Sequence, residues 1–370
     1  MADILFVIWD GCGNVPPALG IAGALQSRGH RLRFLGHAVQ GDAITGAGFE
    51  FSSYENAKPF SSASSNPPEA VAAMFGDRVM GEDLLADLRK RPADVVVIDC
   101  LLIGVLHAAR EAGLFYVTLE HSSDGFLRTA WVGGMGMAEP IRVLDPSSCW
   151  DSTAMTPVAS LAELDPGSAV PQAENVRYTG PVVTGSTKST DESAVLVSLS
   201  TYNFSGQTSA MQIILDTLAS LDTHVVVTTG PVIDVGELRL PANAEVHRFV
   251  PHAKLMPRVS LVIGHGGHAT TMQALAHDLP LGIMPMHPLL DQPMVGKAIE
   301  RDGAGRLLSK EASPEELRPL SAELIADGPH RVVAARLGAS IRESHGAETG
   351  AELLEGLLNQ RAPVAAATLS

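Results

Sequence analysis

The stretch from Ser260 to Ala276 constrains the fold more tightly than any other part of the chain. Ser260-Leu261-Val262-Ile263 is a short apolar run, as expected of a strand buried on both faces of a parallel sheet. It breaks into Gly264-His265-Gly266-Gly267-His268, after which Met272, Leu275 and Ala276 fall at helical spacing. A strand, a glycine turn and a helix start leave unpaired backbone N–H groups converging with the positive end of the helix dipole. The spacing therefore predicts an anion site. His265, Thr270 and Thr271 can add side-chain donors, and His268 can face either the anion or solvent.

The same order of elements opens each half of the chain. Ile4–Trp9 reads as a strand, Asp10–Asn14 as a loop, and Pro16 suits a first helical turn. Leu19, Ala22 and Leu25 then form a helical stripe, and Arg31–Leu35 returns as a strand. Far downstream, Ala194–Leu199, the loop Ser200–Gln207, the helix Met211–Leu221 and the strand His224–Thr228 repeat that order. The pattern predicts an α/β protein with two Rossmann-like domains facing each other across a cleft. The expected boundaries are 1–180, a polar linker at 181–193, a second domain at 194–358 and a frayed tail at 359–370. Within the first domain, Ser52–Pro68 reads as a mobile surface loop and Glu69–Lys90 as one helix. Asp94–Ile98 reads as a strand delivering Asp99 at its carboxyl end, and Phe115–Leu119 as another leading to Glu120-His121. Phe126–Ser168 has weak periodicity and reads as helices and loops.

Composition excludes several classes. A chain of 370 residues with 45% hydrophobic and 18% charged residues is long and apolar enough for two buried cores. A net charge of -15 argues against nucleic acid as a partner, because phosphate contacts need Lys and Arg. Met1-Ala2-Asp3 runs straight into a strand without a basic leader, and Ala93–Ala109 is too short and too polar at Asp99 to span a bilayer. The three scattered cysteines show no metal spacing and fit a reducing cytoplasm; Cys12 reads as a small buried filler. Monomer and homodimer are both left open.

One further set of residues is specific. Phe249-Val250-Pro251-His252, His265-Gly266-Gly267, Thr270, Pro280, Pro285 and Asp291-Gln292, in that order, resemble the donor-binding signature of nucleotide-sugar glycosyltransferases of the GT-B fold. The nearest likeness is to the bacterial enzymes that glycosylate antibiotics and other natural products. It extends to Arg28-Gly29-His30, the strand before Asp99 and Tyr178-Thr179-Gly180-Pro181. The resemblance implies an inverting, metal-independent transfer of a sugar from a dTDP- or UDP-sugar to a small, largely apolar acceptor. The nucleotide sugar is then a substrate, and no cofactor is needed. Phe249 and Val250 would contact the base, and His265, Gly266, Gly267, His268 and Thr270 one phosphate. Ser200 and Thr201 would reach the other phosphate, and Asp291 and Gln292 the sugar hydroxyls. Gln273 stands where many relatives carry a glutamate for the ribose. Ser52–Pro68, the helix to Lys90 and Phe126–Met137 would line an apolar acceptor pocket.

One position departs from the family. Relatives carry a histidine base where this chain reads Gly13-Asn14-Val15-Pro16. An amide positions a hydroxyl but does not deprotonate it. Asp99 matches the carboxylate that orients that histidine, so Asp99 or Asp10 is expected to serve as the base, directly or through water. The remaining histidines, with His121 at a strand end, take no role from spacing. A nucleotide-sugar-binding protein without catalysis and an epimerase of the same fold remain alternatives.

Overall fold

A computed structural model describes residues 1–169, 172–187 and 194–367, without the side chains of 169 and 361–367. The chain forms two compact units. One holds Met1–Ser61, Asn66–Val182 and the chain from Ser344; the other is chiefly Val183–Glu343.

The first unit runs β1 (Asp3–Val7), α1 (Val15–Ser27), β2 (Arg31–Gly36), α2 (Gly41–Gly46), β3 (Glu50–Ser53), α3 (Pro68–Phe75), α4 (Arg78–Lys90), β4 (Val95–Asp99), α5 (Ile103–Glu111) and β5 (Tyr116–Leu119). Its sheet is parallel throughout, in the order β3-β2-β1-β4-β5. Val95 to Ile98 are all buried, as a central strand covered by helices on both faces requires. Helix α1 begins on two prolines and ends at Gly29, whose φ of 88° lets His30 N–H bond back to the Leu25 carbonyl at 3.2 Å.

Two local expectations change. The single helix over 69–90 is broken at Gly76-Asp77. A Cβ on Gly76 would lie 2.3 Å from the Pro140 carbonyl oxygen, and the Asp77 carboxylate accepts from Val79 N–H at 2.9 Å to start α4 afresh. The loop after β3 is tied down at its start. Tyr54 Oη donates to the Ile8 carbonyl at 3.0 Å, and the buried Asp83 carboxylate accepts from the N–H groups of Asn56 and Ala57. The weakly periodic stretch after β5 holds only short helices, α6 (Asp124–Phe126), α7 (Glu139–Arg142) and α8 (Pro146–Asp151), with a π-helical turn at Leu127–Trp131. Each is too short to leave a periodic trace. Strands β6 (Thr156–Val158) and β7 (Val176–Tyr178) follow, and Thr118 N–H and Glu120 N–H bond the Met155 and Pro157 carbonyls to attach β6 to β5.

The second unit runs β8 (Ala194–Ser198), α9 (Gln207–Leu218), β9 (His224–Thr228), β10 (Ala244–His247), α10 (His252–Leu255), β11 (Val259–Gly264), α11 (His268–Leu275), β12 (Leu281–Ile283), α12 (Gln292–Asp302), β13 (Gly305–Leu307), α13 (Pro314–Ile325) and α14 (Pro329–Ser344). The sheet order is β10-β9-β8-β11-β12-β13, again parallel. Val195, Val197, Leu261 and Ile263 from the two central strands share one core with Met211, Ile214 and Leu215 of α9.

The last helix, α15 (Gly346–Ala367), belongs to the first unit rather than to a second domain reaching residue 358. Ala351 and Leu354 enter the core beside Ile21 and Leu25, and Arg28 pairs with Glu352 and Glu355 at 3.2 and 2.8 Å. The tail expected to fray from Gln360 is helical as far as Ala367. Residues 368–370, and 188–193 of the expected linker, lie outside the described residues. No described helix is long and apolar enough to cross a membrane.

Leu354 is fully buried on α1. Replacing it with Ala should cost about 2–5 kcal/mol in the first unit's stability, read as a lower urea midpoint for the transition that removes α1 protection in hydrogen exchange.

Candidate active site

In each sheet the strand order reverses beside the first strand. The loops after β8 and β11 therefore leave in opposite directions and open a crevice at the carboxyl ends, where open α/β sheets bind ligands. Strands β8 and β11 are paired to their last residues, Ser198 opposite Gly264. Ser200–Thr201 and His265–Gly267 thus emerge side by side.

The glycines of the second loop are there for space and sign. Gly266 has φ 85°, and a Cβ on it would meet Ile283 at 2.7 Å. On Gly267 a Cβ would lie 2.4 Å from His265 Nε2, so the imidazole lies directly over the backbone that starts α11. No side chain of Gly267, the residue ahead of α11, can cap the helix, which leaves its first N–H groups to a ligand. His268 and Thr271 are buried, while His265 and Thr270 are half-buried as residues. Burial lowers the His265 pKa to about 4, helped by neighbouring His252 and opposed by the Ser198 carbonyl. Its Nδ1 is buried without a hydrogen-bond partner. A neutral ring held this way donates to an anion without bringing a charge of its own.

Across the crevice, Ser200 is a non-glycine residue at φ 104°. Such backbone costs about 1–3 kcal/mol and persists only where its surroundings force it. The force is the buried Gln207. Its Nε2 donates to the Leu199 and Ser200 carbonyls, each at 2.9 Å, and its Oε1 accepts from Phe204 N–H at 3.2 Å. The Ser200 hydroxyl oxygen accepts from Tyr202 N–H at 2.9 Å, which leaves its proton for a ligand, with Thr201 half-buried alongside. Gln207 gave no sequence signal beyond standing at the end of a polar loop.

Three other expected donor contacts have definite positions. Phe249 is 72% exposed, so it is not a core residue, and half-buried Val250 follows it. Gln292 is buried at the start of α12, and its Oε1 already accepts from the N–H groups of Met286 and His287 at 2.8 and 3.0 Å. Only its amide NH2 remains for a ligand. Half-buried Asp291 precedes it and does not cap α12. Gln273 donates to the Thr184 carbonyl, which ties it to the backbone.

The first unit has the equivalent corner at β1 and β4. Asn14 is buried, and its Nδ2 donates to Asp99 Oδ2 at 2.8 Å and to the Trp9 carbonyl at 3.1 Å. With both amide protons spent, its Oδ1 is buried without a partner. Asp99 Oδ1 accepts from Leu101 N–H at 3.0 Å, the turn bond that leads into α5. His121, two residues past β5, brings Nε2 to 3.3 Å from Asp99 Oδ2. Sequence reasoning gave His121 no role; the register pairing Asp99 with Leu119 is what carries it there. Asp10 is half-buried, and its charge opposes the burial that lowers the pKa of buried His37 to about 4. Cys12 is exposed at φ 62°, not buried. Asp99, Cys100 and His121 also bring three possible ligand atoms within 4.8 Å of one another, but burial pushes the Cys100 thiol well above its ordinary pKa.

Two Rossmann-like units with these strand orders define the GT-B glycosyltransferase fold. Solved structures agree. The calicheamicin glycosyltransferase CalG4 superposes with a TM-score of 0.78 at 21% identity, covering 98% of this chain and 100% of that one. The glycosyltransferase VinC in complex with dTDP superposes at 0.69 and 18%, covering 96% and 98%. Residues 212–354 match the family described as Erythromycin biosynthesis protein CIII-like, C-terminal domain. The demethyllactenocin mycarosyltransferase of Streptomyces fradiae is 31% identical over 140 residues, 38% of this chain and 30% of that protein. The matched stretches span about a third to a half of the first curated relatives. The chain has the GT-B glycosyltransferase fold, and its second unit resembles the EryCIII-like C-terminal domain.

Two outcomes follow from the second unit. Ser200→Gly should relieve the strained backbone and stabilise the protein by about 1 kcal/mol in urea unfolding, while nucleotide binding weakens with the lost hydroxyl. Below pH 6.5 the unfolded chain takes up a proton at His265 that the folded chain refuses until about pH 4. The stability this residue contributes is full above pH 6.5 and is lost as pH falls toward 4, so His265→Gln should flatten that slope in unfolding titrations.

Proposed function

We propose that the protein transfers a sugar, with inversion, from a dTDP- or UDP-sugar to a small, largely apolar natural-product acceptor. The observation that carries this reading is the corner of His265, Gly266 and Gly267 over the uncapped start of α11, beside the strained Ser200 loop. These groups would hold the diphosphate and stabilise the charge that develops on it as the glycosidic bond breaks. His265 Nδ1, Ser200 Oγ, Thr201, Thr270 and the first N–H groups of α11, with His268 behind them, supply donors but no negative charge. The reading therefore needs no metal to bridge the phosphates. Exposed Phe249 and the Val250 backbone would take the base, and Asp291 with the amide of Gln292 the sugar hydroxyls. The complex of VinC with dTDP and that of the spinosyn rhamnosyltransferase SpnG with thymidine diphosphate have this fold, which favours dTDP for this chain.

On the acceptor side, the corner of Asn14 and Asp99 would position the nucleophile. Asp99 has three polar neighbours, so it suits the orientation of another group better than proton abstraction of its own. The absence of a histidine at position 14 supports a second reading, a nucleotide-sugar-binding protein that does not transfer. The two readings part on turnover.

His265→Ala should weaken dTDP and UDP binding about ten- to hundredfold in calorimetry, the loss of a charge-assisted hydrogen bond of about 1.5–3 kcal/mol. Turnover should continue in excess EDTA, and proton NMR should find the product anomer opposite to the donor's. Unchanged affinity in the variant, or a product with retained configuration, would remove the proposal.

A further inference from the structure

Glycosyl transfer needs a base at the acceptor's nucleophilic atom. Asp10, His37, Asp99 and His121 stand near the carboxyl ends of β1, β2, β4 and β5. Glu120 beside His121 is wholly buried, and burial pushes its carboxyl well above the ordinary range. His37 is buried against Tyr54 and Phe60, with ring centroids 5.2 and 5.7 Å away, and Asp10 acts on it through its field without a hydrogen bond to the ring. Asp10 is half-buried in the loop after β1, where its charge acts on His37. Asp99 is buried and already serves Leu101 N–H and Asn14 Nδ2. His121 remains. Its side chain is 15% exposed where that of Asp99 is 4% exposed, so it is the member of the pair that a ligand can reach. Its Nε2 stands 3.3 Å from Asp99 Oδ2, out of line for a full hydrogen bond, as is common before substrate tightens such pairs.

We infer that His121 is the catalytic base of this enzyme and that Asp99 is its positioning residue, an inference that rests on the glycosyltransferase reading above. With the Nε2 proton directed at Asp99, the neutral ring keeps its lone pair on Nδ1. The acceptor's O–H or N–H proton passes to Nδ1 as its heteroatom bonds the anomeric carbon. The bond from that carbon to the phosphate oxygen breaks, and its electron pair leaves with the nucleoside diphosphate. Asp99 stabilises the imidazolium, which then returns its proton to solvent. Asn14 completes the arrangement from the opposite side of the same carboxylate. Its two N–H bonds hold Asp99 and the Trp9 carbonyl, and its orphaned Oδ1 accepts from a neighbouring donor group of the acceptor. The Cys100 thiol beside the pair is held neutral by burial and does not compete for the proton.

The test uses the full chain with dTDP-glucose and UDP-glucose as donors and 4-methylumbelliferone as acceptor. His121→Asn should lower kcat by about a hundredfold or more, leave the Kd for dTDP within about twofold, and remove the acid limb of the kcat/KM profile. Adding Asn14→His to that variant should restore at least about tenfold, because it places an imidazole on the other side of Asp99. A His121→Asn enzyme within about threefold of the wild type overturns the inference, as does activity lost to EDTA and restored by Zn2+, which would assign Asp99, Cys100 and His121 to a metal. NMR titration of the imidazole judges the pair without turnover: Asp99→Asn should lower the His121 pKa by about one unit or more, and an unchanged value overturns the pairing. Failure to bind either dTDP or UDP would instead sink the glycosyltransferase reading, with the NMR result still deciding the pair.

Discussion

The pairing of β8 with β11 governs the second unit. Two parallel strands lie side by side to their last residues, yet each continues to a neighbour on the opposite side. Their loops must diverge, and the backbone between them has no strand to bond. Hydrogen-bonding capacity is therefore left over between the two central strands, at their carboxyl ends. The uncapped start of α11 and the loop at Ser200 are the two edges of that gap. Strands β1 and β4 repeat the geometry in the first unit, with Asn14 and Asp99 as its edges.

A gap of this kind carries a cost that the surrounding structure bears. Ser200 is held in strained backbone by Gln207, His265 Nδ1 is buried without a partner, and Asn14 Oδ1 is in the same condition. Each would be destabilising in a core chosen for stability alone. All three stand at the carboxyl ends of the paired central strands, where a ligand can supply the partner that the fold leaves out. Gln292 shows the complementary economy. Its Oε1 is spent on the backbone of Met286 and His287, so the ligand-facing chemistry of that side chain is reduced to a donor.

What the sequence discloses follows the range of the interaction. The corner at His265 was legible because its causes are local: an apolar run, glycines and a helix start within seventeen residues of chain. The Rossmann-like character of both units followed from the strand, loop, helix and strand that open each half. The return of α15 to the first unit was not legible, because an amphipathic helix states that it has a buried face but not which core receives it. The break at Gly76 depends on Pro140, far along the chain, and the fixing of the loop after β3 depends on Asp83. Exposed Phe249 lies between these cases, since an aromatic residue in an apolar motif reads equally well as core or as surface.

His121 belongs to the long-range class, and its concealment has a simple geometric cause. Nothing in the sequence near it differs from an ordinary strand end. Only the parallel register, with Asp99 opposite Leu119, places the second residue beyond one strand against the last residue of the other. Asp99 then stands between a neutral amide and an imidazole. Neutral donors surround that carboxylate, and the group best able to use it is one that becomes cationic during the reaction. Asn14 cannot become cationic; His121 can. The loss of a histidine from one side of a carboxylate therefore leaves the proton-accepting arrangement intact wherever the fold brings another to its opposite side.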